Sequence, residues 1–204
     1  RAMDFFYILT ISLSFYLFIY FFGIKFHRHH LFVRLNIMVT YLLLELNTML
    51  NHEQLRELIV KPVLSLISLY SDDAVELLMF TCAAESKGGT YLKQIKGPAL
   101  GIYQMEPATH NDIWQVFLRN RTDLIYIMSS NLNAYRMPDE NRMIYDLYYA
   151  TAMARLHYLR VSKSLPDRND LDALFDYYKE FYNTKLGKAK KDKCIAAYKD
   201  FITL

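Results

Sequence analysis

Asp73-Ala74-Val75-Glu76-Leu77-Leu78-Met79-Phe80-Thr81-Cys82-Ala83-Ala84-Glu85-Ser86-Lys87-Gly88-Gly89 is the stretch on which the fold turns. Asp73 with Glu76 three residues on is a capping pattern that opens a helix. From Ala74 to Ser86 the run is apolar on nearly every side, which is the signature of a helix buried all round. Gly88 and Gly89 then stop it, because glycine accepts the left-handed backbone of a helix end. Cys82 reads as a small core residue. Glu85 is therefore left at the last turn of a buried helix, next to a glycine-bearing turn.

Working outward, helical spacing dominates. Asn51 with Gln54 reads as a helix start, followed by Leu55, Leu58 and Ile59, then Val63, Leu66, Ile67 and Tyr70, with Pro62 as a break or kink. Residues 90–107 hold Gly97, Pro98, Gly101 and Pro107 and read as a loop or short irregular hairpin. Thr109 or Asn111 is expected to open a helix through Leu118. Asp139 is expected to open a long one with Met143, Leu147, Ala150, Ala154 and Tyr158 on one face. Asp170 opens another, and a last amphipathic helix runs from about Ala189 to Ile202. No alternating strand pattern stands out, so the expected class is all-α with one Gly/Pro-rich irregular segment.

The chain has 204 residues, of which 53% are hydrophobic, enough to bury a substantial core in one domain with an appendage. Its net charge of +3 gives no case for a nucleic-acid partner. Two cysteines, Cys82 and Cys194, imply no disulfide framework. His27, His29 and His30 lack carboxylate or Cys partners at ligand spacing, so no metal is expected. There is no phosphate-binding loop and no dinucleotide fingerprint, and no cofactor is expected.

The appendage is residues 1–48. From Phe5 to Ile24 the chain carries no charge, and about 20 helical residues match a bilayer core. Lys25, Arg28 and Arg34 follow, so residues 5–24 read as a transmembrane helix with a basic flank. The basic side is wrong for a signal peptide. The other reading is an over-extended reading frame, since the chain opens on Arg1 and Met49 precedes the first capping pattern. On either reading, residues 49–204 form the domain that carries the chemistry, and a monomer is expected.

That chemistry starts with Glu85-Ser86 and, after a spacer, Gly97-Pro98-Ala99-Leu100-Gly101-Ile102-Tyr103-Gln104-Met105-Glu106-Pro107-Ala108-Thr109. Apolar neighbours raise the pKa of a carboxyl group and suit it to protonating a leaving oxygen. Glycines such as Gly101 let a backbone approach a sugar closely, and Gln104 supplies amide donors and an acceptor. Taken alone, a Glu-Ser pair also reads as a cap or an ion-pair residue.

The pattern resembles the signature of the lytic transglycosylase and goose-type lysozyme family. There, a Glu-Ser pair at a helix end precedes a Gly-x-x-Gly-Leu-Met-Gln-x-Met-Pro-x-Thr segment. Gly101, Gln104, Pro107 and Thr109 stand at the matching places, with Gly97, Leu100 and Met105 alongside them. Tyr148-Tyr149-Ala150-Thr151-Ala152 to Tyr158-Leu159 is similar to the family's second helix motif. Tyr177-Tyr178 to Tyr182-Asn183, then Leu186-Gly187, is similar to its Ala-Tyr-Asn-Ala-Gly motif. The blocks cover most of residues 73–190, and proteins of tailed bacteriophages carry a similar Gly-Pro-Ala-Leu-Gly and Gln-Met-Glu-Pro-Ala-Thr-His stretch.

The resemblance implies a lysozyme-like domain that cleaves peptidoglycan between MurNAc and GlcNAc, virion-associated or acting in the host periplasm. Glu85 is then the catalytic acid/base. Ser86, Gly101, Tyr103, Gln104, Tyr149, Tyr182 and Asn183 are the expected substrate contacts. Two departures matter. Thr184-Lys185 replaces the usual Ala-Gly after Tyr-Asn, and Glu106 stands where transglycosylases carry an apolar residue. Goose-type lysozymes have an Asp near that place, so Glu106 is a candidate second carboxylate for a true muramidase. It reads equally as a solvated residue at a helix start. Lys185, Lys188, Lys190, Lys191 and Lys193 form either a solvated face or an attractor for an anionic polymer such as a cell wall. The competing functional readings are a non-catalytic phage virion or assembly protein of lysozyme-like shape and a small membrane protein of lysis.

Overall fold

The computed structural model describes residues 49–184 and 187–203. The chain divides into two units, Arg1–Asn47 and Thr48–Leu204, and the described residues belong to the second. The readings placed on residues 1–48, including the apolar run 5–24 and the histidine tract, lie outside them, as does Lys185. Among the described residues the domain is helical and has no strand, and no helix is long and apolar enough to cross a membrane.

Helix α1 starts at His52–Leu55, widens into a π-helical stretch at Arg56–Val60 and continues through Lys61–Leu66. Asn51 caps it, its Oδ1 accepting the Gln54 N–H at 3.0 Å. The disturbance expected at Pro62 takes the form of that π stretch just before it. Pro62 has no N–H for the Leu58 carbonyl, which accepts the Tyr148 hydroxyl at 3.1 Å.

Helix α2, Asp72–Ser86, is the central element, packed against α1 and against the three later helices α6, Leu147–Leu159, α7, Leu171–Phe181, and α8, Lys191–Thr203. Its cap is Ser71 rather than Asp73. Ser71 is extended and its hydroxyl accepts the Ala74 N–H at 3.1 Å. Asp72 and Asp73 instead occupy the first turn, where carboxylates suit the helix dipole. Asp73 accepts the Arg168 backbone N–H at 3.0 Å, and Asp72 pairs with its guanidinium. Leu77, Leu78, Met79, Phe80, Cys82 and Ala83 are all fully buried.

Helix α3, Pro107–Asp112, runs into a second π stretch, Ile113–Phe117. It begins two residues before the earlier of the expected starts, because proline at the first helical position loses no hydrogen bond. Helix α4, Thr122–Leu132, has no counterpart in the sequence reading. The long helix expected from Asp139 is broken into α5, Arg142–Tyr145, and α6. Two aspartates cause this. Asp139 folds onto the Asn141 N–H at 2.8 Å as a local turn. Asp146 adopts an extended backbone, accepts the Tyr149 N–H at 3.0 Å and is held by Arg142 at 2.9 Å. Asp170 caps α7 as expected, accepting from Asp172 and Ala173 at 3.0 and 2.9 Å.

Several polar side chains are buried with their partners. The Trp114 indole donates to the Tyr149 hydroxyl at 2.8 Å, which leaves the hydroxyl hydrogen for His110 Nε2 at 2.7 Å. Thr81 bonds both the Leu77 carbonyl and the Tyr158 hydroxyl, each at 2.7 Å. Buried hydroxyls satisfied in this way fix the relative rotation of α2, α3 and α6.

Candidate active site

Glu85 lies on the last turn of α2, half-buried in the wall of a cleft of roughly 770 Å³. That volume suits a small-molecule or oligosaccharide segment. Burial raises the Glu85 carboxyl above its ordinary value of 4.5, since the charged form loses hydration. Hydrogen bonds from Tyr178 and Asn183 pull the other way without reversing the shift. The Tyr178 hydroxyl donates to Glu85 Oε1 at 2.7 Å. The result is a carboxyl held in one orientation, with its charged form less favoured than in water. It can give a proton to a group in the cleft and later take one back.

Tyr178 went unrecognised as a site residue in the sequence. The signal was present: Tyr178 of α7 and Tyr182, the residue that ends it, are four apart and therefore share a face. Their rings stack with centroids 6.3 Å apart, and Phe80 of α2 meets Tyr178 edge-on at 5.8 Å. An aromatic wall thus carries the acid's partner and removes water from behind it.

The Gly/Pro-rich segment forms a tight irregular hairpin. Leu100 and Met105 exchange backbone bonds at 2.9 and 3.0 Å, and Gln94 N–H donates to the Ala99 carbonyl at 2.9 Å. Ser86 fastens this hairpin to the acid's helix. Its hydroxyl is fully buried, donates to the Ile102 carbonyl at 2.6 Å and accepts the Gly89 N–H at 2.9 Å. Ser86 therefore does not reach the cleft as a substrate contact and acts as a strut behind Glu85.

Other expected contacts are also corrected. Gly101 is buried at φ +73°, and a Cβ there would stand 2.2 Å from the Met143 carbonyl oxygen. Its smallness serves packing against α5, not approach to a ligand. Tyr103 is buried with its hydroxyl 3.2 Å from Thr151, and Tyr149 is buried in the His110–Trp114 network. Neither lines the cleft.

Gln104, Glu106, Tyr182 and Asn183 do line it with Glu85. The Gln104 amide nitrogen donates to the Gly101 carbonyl at 2.7 Å and to Tyr91 at 3.2 Å. The Tyr182 hydroxyl donates to the Tyr103 carbonyl at 2.9 Å, joining the end of α7 to the hairpin. Asn183 is set by Lys179, whose ammonium bonds Asn183 Oδ1 at 2.8 Å and the carbonyls of Thr184 and Gly187 at 2.8 and 2.6 Å. Gly187 is required there, since a Cβ would lie 2.0 Å from Asn183 Oδ1. Thr184 stands at φ +64°, so this turn is left-handed at a β-branched residue. Glu106 is exposed at the head of α3 with no capping hydrogen bond.

His157 also reaches the cleft, and its protonation state is legible. Nε2 bonds the Phe181 carbonyl at 2.9 Å, so it carries the proton, and Nδ1 accepts from Arg160 at 2.9 Å. Burial, with Arg160 beside it, lowers its pKa to about 4, so it is neutral at physiological pH. Its ring abuts Tyr182 edge-on at 4.8 Å, which makes it a prop for Tyr182. Among the described residues no group of three His, Cys, Asp or Glu side chains is arranged to hold a metal ion.

Compared with known proteins, the chain matches no family model, no curated relative and no solved structure.

Proposed function

We propose that residues 49–204 form a lysozyme-like domain that cleaves the glycan strands of peptidoglycan between MurNAc and GlcNAc, with Glu85 as acid and base. The observation that carries this reading is the environment of Glu85: a carboxyl raised by burial, oriented by Tyr178, on a cleft wall shared with Gln104, Tyr182 and Asn183. The motif order in the sequence supports it independently. In the reaction, Glu85 donates its proton to the glycosidic oxygen as the bond to C1 breaks. The MurNAc acetamido group stabilises the developing positive charge at C1. Glu85, now a carboxylate, takes the proton of the same sugar's 6-hydroxyl as that oxygen closes on C1, which leaves a 1,6-anhydro end.

A muramidase reading has one observation in its favour, the presence of Glu106 on the same cleft. A second carboxylate that holds water would give hydrolysis instead. Exposure of Glu106 at the head of α3 favours a role toward the helix dipole, so the transglycosylase reading is preferred. Mass analysis of products from purified peptidoglycan decides between them. Anhydro-muropeptides are expected to dominate, Glu106→Gln is expected to keep most activity, and Glu85→Gln to lose about 10²-fold or more. Reducing-end products together with an inactive Glu106→Gln protein would establish the hydrolase. Wild-type-like activity in a folded Glu85→Gln protein would sink both.

A further inference from the structure

The cleft that holds Glu85 has a strongly cationic wall. Lys87, two residues after the acid, and Lys188, Lys190 and Lys193 around the start of α8 all line it, and all four are exposed. Among the described residues none of these four forms an ion pair, whereas their neighbour Lys191 bridges Asp172 and Asp176 at 3.1 Å each. Lys179 is likewise engaged, with three oxygens around it. The acidic side chains on the same surface are Glu85 and Glu106. Four such ammonium groups lining one cleft repel one another and focus a positive potential into it. A neutral oligosaccharide gains nothing from that arrangement, but a polyanion does.

We infer that the substrate recognised in this cleft is an anionic glycan, and that Lys87, Lys188, Lys190 and Lys193 bind carboxylates carried by the peptide stems of the strand being cut. The identification of the polymer rests on the function proposed above; the preference for negative charge rests on the lysines. Their place in the lining of the cleft that bears Glu85 decides between two sources of anion. A counter-ion held beside the reacting bond must belong to the strand in the cleft. Phosphodiester polymers attached elsewhere in a wall would be met by a basic face remote from it.

The test uses the full chain carrying Glu85→Gln, so that binding is read without cleavage. Its co-sedimentation with insoluble peptidoglycan is measured on intact material, on material stripped of phosphodiester polymers, and on material whose carboxylates have been amidated with ethanolamine. Lys188→Gln, Lys190→Gln and Lys193→Gln together should weaken binding about tenfold at low salt, three exposed contacts each contributing modestly. The same three positions changed to Arg should restore binding, which a loss of folding would not permit. Amidation should weaken the parent protein as much as the three Gln changes do, with little further effect of those changes, and added salt should do likewise. Removal of phosphodiesters should change nothing. Binding indifferent to the lysines or to amidation overturns the inference, and loss confined to phosphodiester-stripped material reassigns the cations to wall phosphate and overturns it equally. Failure of the wild-type chain to release products from the wall would count against glycan cleavage alone, since this binding readout does not depend on it.

Discussion

Glu85 is placed where its charged form is disfavoured, and that has a measurable consequence for stability. A carboxyl whose folded-state pKa is raised binds more protons folded than unfolded at intermediate pH. The free energy of unfolding, and with it the stability, therefore falls as pH rises from about 4.5, the ordinary value, up through the raised folded value. Glu85→Gln removes the titrating charge while keeping the shape. It is expected to melt higher than wild type at pH 7, by about 2–4 °C for each kcal/mol relieved, with the gap closing below pH 4.5. Calorimetry of the two proteins across pH checks this, and an equal or lower melting temperature at neutral pH would contradict the burial argument. Tyr178 gives the complementary result. Its hydroxyl bonds the carboxylate at 2.7 Å and holds the pKa down, so Tyr178→Phe should raise it further. In a pH profile of kcat/KM, the alkaline limb of the variant should lie at higher pH than that of wild type. A shift toward acid would mean that Tyr178 does not stabilise the charged form.

At the scale of elements, the site depends on the junction between the end of α2 and the hairpin of residues 93–105. Ser86 makes that junction with its buried hydroxyl. Ser86→Ala leaves the Ile102 carbonyl and the Gly89 N–H without this partner and should cost about 1–3 kcal/mol in urea unfolding. Gly101→Ala adds a Cβ 2.2 Å from backbone oxygen at a left-handed φ, so it should cost at least about 2 kcal/mol. Near-native stability in either variant would show that the hairpin is not braced as described. Much of this was legible beforehand. The apolar run from Ala74, the caps at Asn51 and Asp170 and the irregular hairpin follow from local pattern, and Glu85 and Gln104 do reach one cleft. What escaped was decided by competition between neighbours. Asp139 and Asp146 both offer caps, and the structure uses the second to open α6. Tyr103 and Tyr149 resemble groove residues by type, but type does not say which side of a helix or turn faces the core. Helix α4 carries Leu124, Met128 and Leu132 at helical spacing and was readable on that criterion.

On the scale of the whole domain, the two ends of the described chain meet. Gly88, just past α2, lies so close to the Phe201 ring that a Cβ there would stand 2.4 Å from it, and His52 of α1 meets the same ring edge-on at 6.2 Å. Helix α8 lays Cys194, Tyr198 and Phe201 along α2, and Tyr198 packs on Phe80 at 5.4 Å. Among the described residues the buried core runs from Leu55 to Phe201. A chain starting at Met49 is therefore expected to fold and melt in one cooperative transition. A chain of residues 49–190, which lacks α8, should not. Each large apolar side chain withdrawn from α2 costs about 1.5–3 kcal/mol, and two large aromatics with a cysteine together approach the 5–15 kcal/mol that holds a domain of this size. The same cut removes Lys193 from the cleft and uncovers the face of α2 behind Glu85. Circular dichroism melts of the two fragments are the check. A cooperative transition for residues 49–190 at an undiminished temperature would mean that α8 is an accessory to the core, and that the acid's environment is built by α2, α6 and α7 without it.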